Sequence, residues 1–138
     1  GVSADVYSTT SLNELYRDGA AVLRYNRLHP TEQPQQSWVE QCLGSSPAPT
    51  IACTDYMKLQ SEQIRPFVKG IYHTLGTDGF GRSDSREALR EHFEVNRYYI
   101  VVAALSSLAE SGEKTANDVA AAIEKYGIDP EKTNPLYA

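Results

Sequence analysis

Three closely spaced glycines, Gly76, Gly79 and Gly81, form the part of the sequence with the clearest potential for chemistry. They follow an apolar stretch and precede a polar segment that begins near Asp84. A glycine loop between a strand and a helix can bind a phosphate, because backbone N–H groups and the helix N-terminus face the same anion. The spacing, however, matches neither a dinucleotide fingerprint nor a P-loop. Asp78 and Asp84 would also repel an anion.

We therefore interpret this loop as a tight structural turn that needs positive φ angles, which glycine adopts without steric cost. A packing surface for a partner chain is the alternative that the residues leave open. The candidate structural or interface loop consists of Gly76, Asp78, Gly79, Phe80, Gly81, Arg82 and Asp84.

The other residue types that could carry chemistry are scattered along the chain. His29, His73 and His92 have no cysteine, aspartate or second histidine at metal-ligand spacing on the same predicted element. No serine stands in a nucleophile-elbow motif. Cys42 and Cys53 are too few for a disulfide framework and do not form a CxxC, so we expect reduced thiols. We predict no catalytic, cofactor-binding or metal-ligating residue in this chain.

Length and charge exclude several classes of protein. The 138 residues suffice for one domain with its own core. The formal net charge of −5 argues against a nucleic-acid partner, because phosphate binding needs a basic face. The longest apolar stretch, residues 98–105, is far shorter than the roughly 20 residues that span a bilayer.

Hydrophobic periodicity predicts strands that alternate with helices. The predicted strands are residues 5–10, 50–54 and 71–75. The predicted helices are residues 12–26, 55–65, one that starts at 84, 97–110 and 116–126, and residues 37–43 should form a short amphipathic turn or helix. Residues 44–49 should form a surface loop, and residues 128–138 an extended tail. This order predicts a three-layer α/β/α fold with a mainly parallel sheet that helices cover on both faces. We also expect most of the circumference of the helix over 97–110 to be buried, because its apolar stripe is wide.

Short polar motifs predict where the helices begin. In a capping box, one side chain accepts the backbone N–H three residues later, and that residue's side chain reaches back. The predicted boxes are Ser11 with Glu14, Asp84 with Glu87, and Thr115 with Asp118. Asp55 and Asn96 are predicted as single N-caps.

Several blocks of sequence closely resemble the C-terminal region of the decarboxylating component of the pyruvate dehydrogenase complex, in its homodimeric bacterial form. These blocks cover nearly the whole chain, and their order and spacing both fit. They are GVSADV, TSLNELYRDG, RYNRLHPTEQP, CTDYMKL, LGTDGFGRSDSR, HFEV, VVAAL and AIEKYGIDPEKTNP. A looser resemblance extends to the C-terminal domain of transketolase, which has a glycine–phenylalanine–glycine loop and a helix in the same place.

The resemblance implies a transketolase C-terminal-domain-like fold and a role in a longer multidomain enzyme. Enzymes of that family use thiamine diphosphate with magnesium to decarboxylate pyruvate, and pass the acetyl group to a lipoyl group on the acyltransferase component. Their cofactor motif, Gly-Asp-Gly followed by paired asparagines, does not occur in this sequence. By resemblance, catalysis and cofactor binding belong to upstream domains. This chain would be a non-catalytic domain that supports a cytoplasmic homodimer.

The resemblance further implies that the first strands of such a domain precede Gly1. One of them would lie between the predicted strands at 5–10 and 50–54, and its absence would expose unpaired backbone groups. We therefore predict that residues 1–138 alone are unstable or prone to aggregate. Two alternatives stay open: a free-standing α/β interaction module, and the C-terminal domain of another transketolase-like enzyme.

Overall fold

The computed structural model describes residues 1–44 and 48–138. Its helices are α1 (Leu12–Leu28), α2 (Trp38–Leu43), α3 (Lys58–Glu62), α4 (Arg86–His92), α5 (Arg97–Glu110) and α6 (Ala116–Tyr126). Its strands are β1 (Thr50–Cys53) and β2 (Tyr72–Leu75), and short 3₁₀ turns span Arg65–Phe67 and Pro135–Tyr137. Half of the predicted loop at 44–49, residues 45–47, lies outside the described residues. None of the described helices is long and apolar enough to cross a membrane.

The two strands form a small parallel sheet with helices on both faces. Thr50 pairs with Tyr72 and Cys53 with Leu75. Tyr72 belongs to the core on the side of α1 and α2, whereas its neighbour His73 contacts Glu110 of α5. Adjacent strand residues face opposite sides of a sheet, so the helices cover both of them. The predicted α/β class with a parallel sheet is confirmed.

The core lies between α1, α2 and the inner face of β2. Its buried residues are Val39, Ile64, Phe67 and Tyr72, against which Leu12, Leu15, Leu43, Ala52 and Val68 pack. Residues of five different elements and turns therefore meet in one cluster. This cluster holds α1 and α2 against the sheet.

The predicted strand at residues 5–10 is wrong. Residues 1–9 have no regular secondary structure, and Val6 is 93% exposed. The segment's contacts include a hydrogen bond from the Tyr7 hydroxyl to the Cys42 carbonyl, at 3.1 Å. A strand needs a neighbour to pair its backbone groups, and in the described residues β1 and β2 pair with each other instead. The expected gap between two strands is therefore not present; a single unpaired segment precedes a two-stranded sheet.

Three predicted helix starts are confirmed and two are wrong. Ser11, Asn96 and Thr115 cap α1, α5 and α6. Thr115 and Asp118 form the full predicted capping box, whereas Ser11 accepts the Glu14 N–H but the Glu14 carboxylate accepts a hydrogen bond from Arg17 instead. Helix α3 begins after Met57 without a side-chain cap, rather than at Asp55. Residues 55–57 instead form a turn that is hydrogen-bonded to the glycine loop.

Helix α4 is capped by Ser85, whose hydroxyl accepts the Ala88 N–H, so the predicted capping box of Asp84 with Glu87 is wrong. The Asp84 carboxylate accepts the Ser85 N–H instead. Serine and aspartate are equally good N-caps, so their adjacent positions left the first helical residue ambiguous.

Helix α5 is more exposed than its wide apolar stripe predicts. All of its residues are described, and Ser107 is its one buried residue. The helix packs against the two strands and α6, and apart from Ser107 its residues are half-buried or exposed. Val101, for example, is 37% exposed. The predicted extended tail also differs, because Asn134 caps a 3₁₀ turn within it.

Candidate functional site

The glycine loop and the turn after β1 form one hydrogen-bonded unit. Parallel strands end at the same edge of a sheet, which places the two segments side by side. The Thr77 N–H donates to the Tyr56 carbonyl and the Thr77 hydroxyl to the Asp55 carbonyl, each at 2.9 Å. The Lys58 N–H donates to the Asp78 carboxylate at 3.3 Å.

The three glycines of the loop have different roles. Gly79 has a φ of +108°, and a Cβ there would lie 2.3 Å from the Pro135 carbonyl oxygen. Gly76 does not have a positive φ, but a Cβ there would lie 2.7 Å from backbone atoms of Tyr56 and Lys58. Gly81 has neither constraint. The predicted positive φ is therefore confirmed at Gly79 and wrong at Gly76 and Gly81.

The charged side chains of the loop do not form an anion site. Asp78 faces the Lys58 ammonium at 3.9 Å, and Asp84 accepts the Ser85 N–H at 2.7 Å. Arg82 is exposed to solvent. The two carboxylates thus stabilise the loop and the start of α4, and they place negative charge where a phosphate would have to bind.

The three histidines make separate contacts. The His29 ring lies 2.9 Å from the Tyr25 carbonyl, and the His73 ring 3.4 Å from Glu110. The His92 Nε2 atom is buried without a hydrogen-bond partner. Within residues 1–44 and 48–138, no three His, Cys, Asp or Glu side chains are grouped so that they could hold a metal ion. These residues therefore do not fit a magnesium–diphosphate group.

A groove of about 1120 Å³ lies between the end of β1, α4 and the start of α5. Its lining includes Cys53, Asp55, Arg90 and Tyr98. Arg90 and Asp55 face each other at 4.0 Å, so their charges partly cancel. Desolvation of the sulfur, and then the nearby Asp55 carboxylate, raise the pKa of the Cys53 thiol. A raised pKa keeps the thiol protonated, which is the opposite of what a nucleophilic cysteine needs.

Exposed apolar side chains occur on the segments that meet at the glycine loop. They come from the turn after β1, from the first turn of α3, from the loop itself and from the C-terminal tail: Tyr56, Met57, Leu59, Phe80, Leu136 and Tyr137. We call these six side chains the loop surface. Phe80 is 78% exposed, and Leu136 Cα lies 3.2 Å from the Cβ position of Gly79, so the loop and the tail touch. Clustered exposed apolar residues are typical of protein interaction surfaces.

Of the predicted loop residues, the structure places Gly76, Asp78, Gly79 and Phe80 at the loop surface or directly beneath it. Arg82 and Asp84 lie further along, beside a smaller polar cleft in front of α4. Sequence reasoning missed the contribution of the tail. The contact between Gly79 and the tail joins residues more than fifty positions apart, so no local sequence pattern predicts it.

The comparison with protein families gives one match over most of the chain. The model described as the transketolase-like TK C-terminal domain matches residues 1–96. This range includes both strands, the glycine loop and α4.

Named relatives match almost the entire chain. The pyruvate dehydrogenase E1 component of Pseudomonas aeruginosa is 61% identical over 137 residues, which are 99% of this chain and 16% of the relative. That of Cupriavidus necator is 52% identical over 136 residues, 99% of this chain and 15% of the relative. That of Escherichia coli K12 is 54% identical over 139 residues, 100% of this chain and 15% of the relative. The chain therefore spans less than a fifth of the length of the curated relatives it matches.

Proposed function

Because this chain belongs to the family of transketolase-like TK C-terminal domains, we propose that it is the non-catalytic assembly domain of a longer pyruvate dehydrogenase. The observation that carries this proposal is the 61% identity, over 99% of the chain, to a protein named pyruvate dehydrogenase E1 component. The family description alone would also suit another transketolase-like enzyme, but the named relatives favour the pyruvate enzyme.

In this proposal, the parent enzyme decarboxylates pyruvate with thiamine diphosphate and magnesium, and transfers the acetyl group to the lipoyl group of the acyltransferase component. The residues of this chain do not fit that cofactor, since Asp78 accepts the Lys58 N–H and Asp84 the Ser85 N–H, and both carboxylates would repel a diphosphate. We therefore assign no step of the reaction to this chain. Its part is structural: it supports a homodimer and holds the other domains in place.

The loop surface is the proposed contact with the rest of the assembly. Its six side chains are large and apolar, and leaving them in water forgoes the favourable transfer of apolar area. The backbone beneath them is fixed by the bonds between Thr77, Asp78 and the turn after β1. A rigid backbone that presents exposed apolar side chains loses little entropy when a partner covers it. We also propose a cytoplasmic location, which the two free thiols Cys42 and Cys53 support.

A chimera tests the proposal directly. The chain would replace the matching region of the Pseudomonas aeruginosa relative, and sedimentation and carbon dioxide release from pyruvate would be measured with thiamine diphosphate and magnesium. We expect a dimeric, active chimera. The isolated chain should release no carbon dioxide and should aggregate or unfold without cooperativity. Turnover by the isolated chain, or a stable monomer with a cooperative transition, would contradict the proposal.

Two matched substitutions locate the contact. Phe80→Ala removes the most protruding side chain of the loop itself, and Leu23→Ala removes an exposed apolar side chain on α1, outside the loop surface. We expect Phe80→Ala to reduce the dimeric fraction or the activity of the chimera, and Leu23→Ala to leave both unchanged. Equal effects of the two substitutions would mean that the loop surface is not the contact.

A further inference from the structure

Helix α4 ends in an unusual way. The Val95 N–H donates to the Arg90 carbonyl and the Glu94 N–H to the Glu91 carbonyl, which together are the hydrogen bonds of a Schellman motif. The left-handed position of that motif usually holds glycine. Here it holds Glu94, with a φ of 61°, the one non-glycine residue with a positive φ in the described part of the chain.

A lysine of the C-terminal tail holds this strained end. The Lys132 ammonium donates to the Glu91 carbonyl at 2.6 Å and to the His92 carbonyl at 2.9 Å. It also faces the Glu94 carboxylate at 3.6 Å and lies 5.2 Å from the centroid of the Tyr99 ring. The last carbonyls of a helix lack intrahelical partners and carry partial negative charge, so a cation there is favourable. Strained backbone persists where surrounding contacts over-determine it, and Lys132 supplies four such contacts.

The tail then continues to the glycine loop. Pro135 is buried, and its carbonyl oxygen occupies the space where a side chain at Gly79 would be. The Asn134 side chain accepts the Leu136 N–H and fixes the 3₁₀ turn that makes this contact. Helix α4 has few contacts with the other helices and strands, so the bonds from Lys132 are among its attachments, and the same tail contacts the glycine loop.

We propose that residues 128–138 form a clasp that fixes α4 and the glycine loop, with Lys132 as its anchor and Pro135 as its second contact. The clasp also contributes Leu136 and Tyr137 to the loop surface. Releasing it would therefore reshape that surface, a consequence that rests on the proposed function. The clasp itself does not depend on that function.

Amide hydrogen exchange on the full chain tests the anchor. Lys132→Met keeps the aliphatic stem near Tyr99 but removes the charge and the donors, and Lys69→Met is the control at an exposed lysine. We expect Lys132→Met to accelerate exchange of the Glu94 and Val95 N–H groups roughly tenfold, as for the loss of a charge-assisted hydrogen bond. Lys69→Met should change nothing, and Lys132→Arg should restore most of the protection.

Reference amides separate a clasp from a general stabilising contact. The Thr50 and Thr54 N–H groups bond to carbonyls of Ile71 and Leu75 at the two ends of the strand pair. Their exchange should be unaffected by Lys132→Met. Uniform acceleration at these amides and at α4, or no acceleration at α4, would overturn the proposal. Repeating the exchange in the chimera removes any dependence on the stability of the isolated chain.

Two further variants sharpen the test. Glu94→Gly relieves the strained φ, so the effect of Lys132→Met should shrink in that background; an undiminished effect would contradict the anchoring argument.

Gly79→Ala should displace the 3₁₀ turn and accelerate exchange of the Tyr137 N–H, which bonds to the Asn134 carbonyl. Gly81→Ala, where no heavy atom lies within 4 Å of the added Cβ, is its control.

Discussion

The region between α3 and β2, which we call the α3 side, uses its side chains for contacts within the chain, whereas the loop surface leaves its side chains exposed. On the α3 side, Glu62 accepts hydrogen bonds from Arg65, at 2.5 and 2.8 Å, and from the Thr74 hydroxyl at 2.6 Å. Arg65 also donates to the Tyr72 carbonyl, and the Tyr72 hydroxyl to the Ser61 carbonyl. At the loop surface, backbone groups pair with one another while large apolar side chains remain exposed.

This contrast separates residues that serve folding from residues available for contact. The α3 side satisfies its polar groups inside the chain, and the buried Tyr72 has its pKa raised to about 12 by burial and then by the Glu62 carboxylate. The loop surface has a hydrogen-bonded backbone, but its six apolar side chains are 47–79% exposed. A sequence under pressure only to fold would place polar residues there.

The two phenylalanines Phe67 and Phe80 give the largest expected difference. Phe67 is 4% exposed in the core, and Phe80 is 78% exposed on the loop surface. Phe67→Ala should lower the free energy of unfolding by about 3–5 kcal/mol, because it removes buried area and leaves a cavity. Phe80→Ala should change it by less than about 0.5 kcal/mol. Native-state hydrogen exchange at the Thr50 and Thr54 N–H groups in the chimera measures both changes, and comparable losses would erase the distinction between the two regions.

The Glu62 interactions give the next largest effect. Glu62→Gln should lower the free energy of unfolding by about 2 kcal/mol, since Arg65 would lose a charge-assisted partner beside the core. The exposed Glu124 on α6 offers the matched control, and Glu124→Gln should be nearly neutral. Equal losses in the free energy of unfolding would show that the hydrogen bonds of Glu62 stabilise the fold no more than an exposed carboxylate does.

Low pH should weaken the interactions of Glu62 on the α3 side. Hydrogen bonds from Arg65 lower the pKa of the Glu62 carboxyl from 4.5 to about 2. Because the folded pKa is the lower one, the stabilisation is complete above pH 4.5 and is lost as the pH falls toward 2. We expect a loss of roughly 1–2 kcal/mol over this window, allowing for solvent screening. Between pH 5 and pH 2, exchange of the Thr50 and Thr54 N–H groups in the chimera should reveal a smaller loss of stability for Glu62→Gln than for the unmodified chimera.

Local patterns predicted the elements that can form from their own residues. The helices α5 and α6 begin and end within a residue or two of their predicted bounds, since capping residues and apolar periodicity act within one or two turns. The apolar runs at residues 50–54 and 71–75 likewise predicted β1 and β2 to within one residue at each end. Residues 5–10 carry the same strand-like composition, yet a strand also needs a neighbour, and no local pattern contains that information.

The candidate loop was predictable in place but not in detail. Its glycines marked the turn, and the structure explains Gly79 by the Pro135 carbonyl and Gly76 by the backbone at Lys58. Neither contact could be read from the sequence, because each depends on how distant segments pack. The contacts of Lys132 with the end of α4 could not be predicted either, because they join residues 40 and 41 positions apart.

The start of α4 gives the smallest predicted effect and tests how finely local signals can be read. Ser85→Ala should lower the free energy of unfolding by about 1 kcal/mol, because the Ala88 N–H loses its acceptor. Asp84→Ala should cost less, since the Asp84 carboxylate bonds to the Ser85 N–H, outside the helix. Hydrogen exchange at Ala88 distinguishes the two caps: Ser85→Ala should accelerate it and Asp84→Ala should not. The reverse order would restore Asp84 as the N-cap and move the loop's end one residue back.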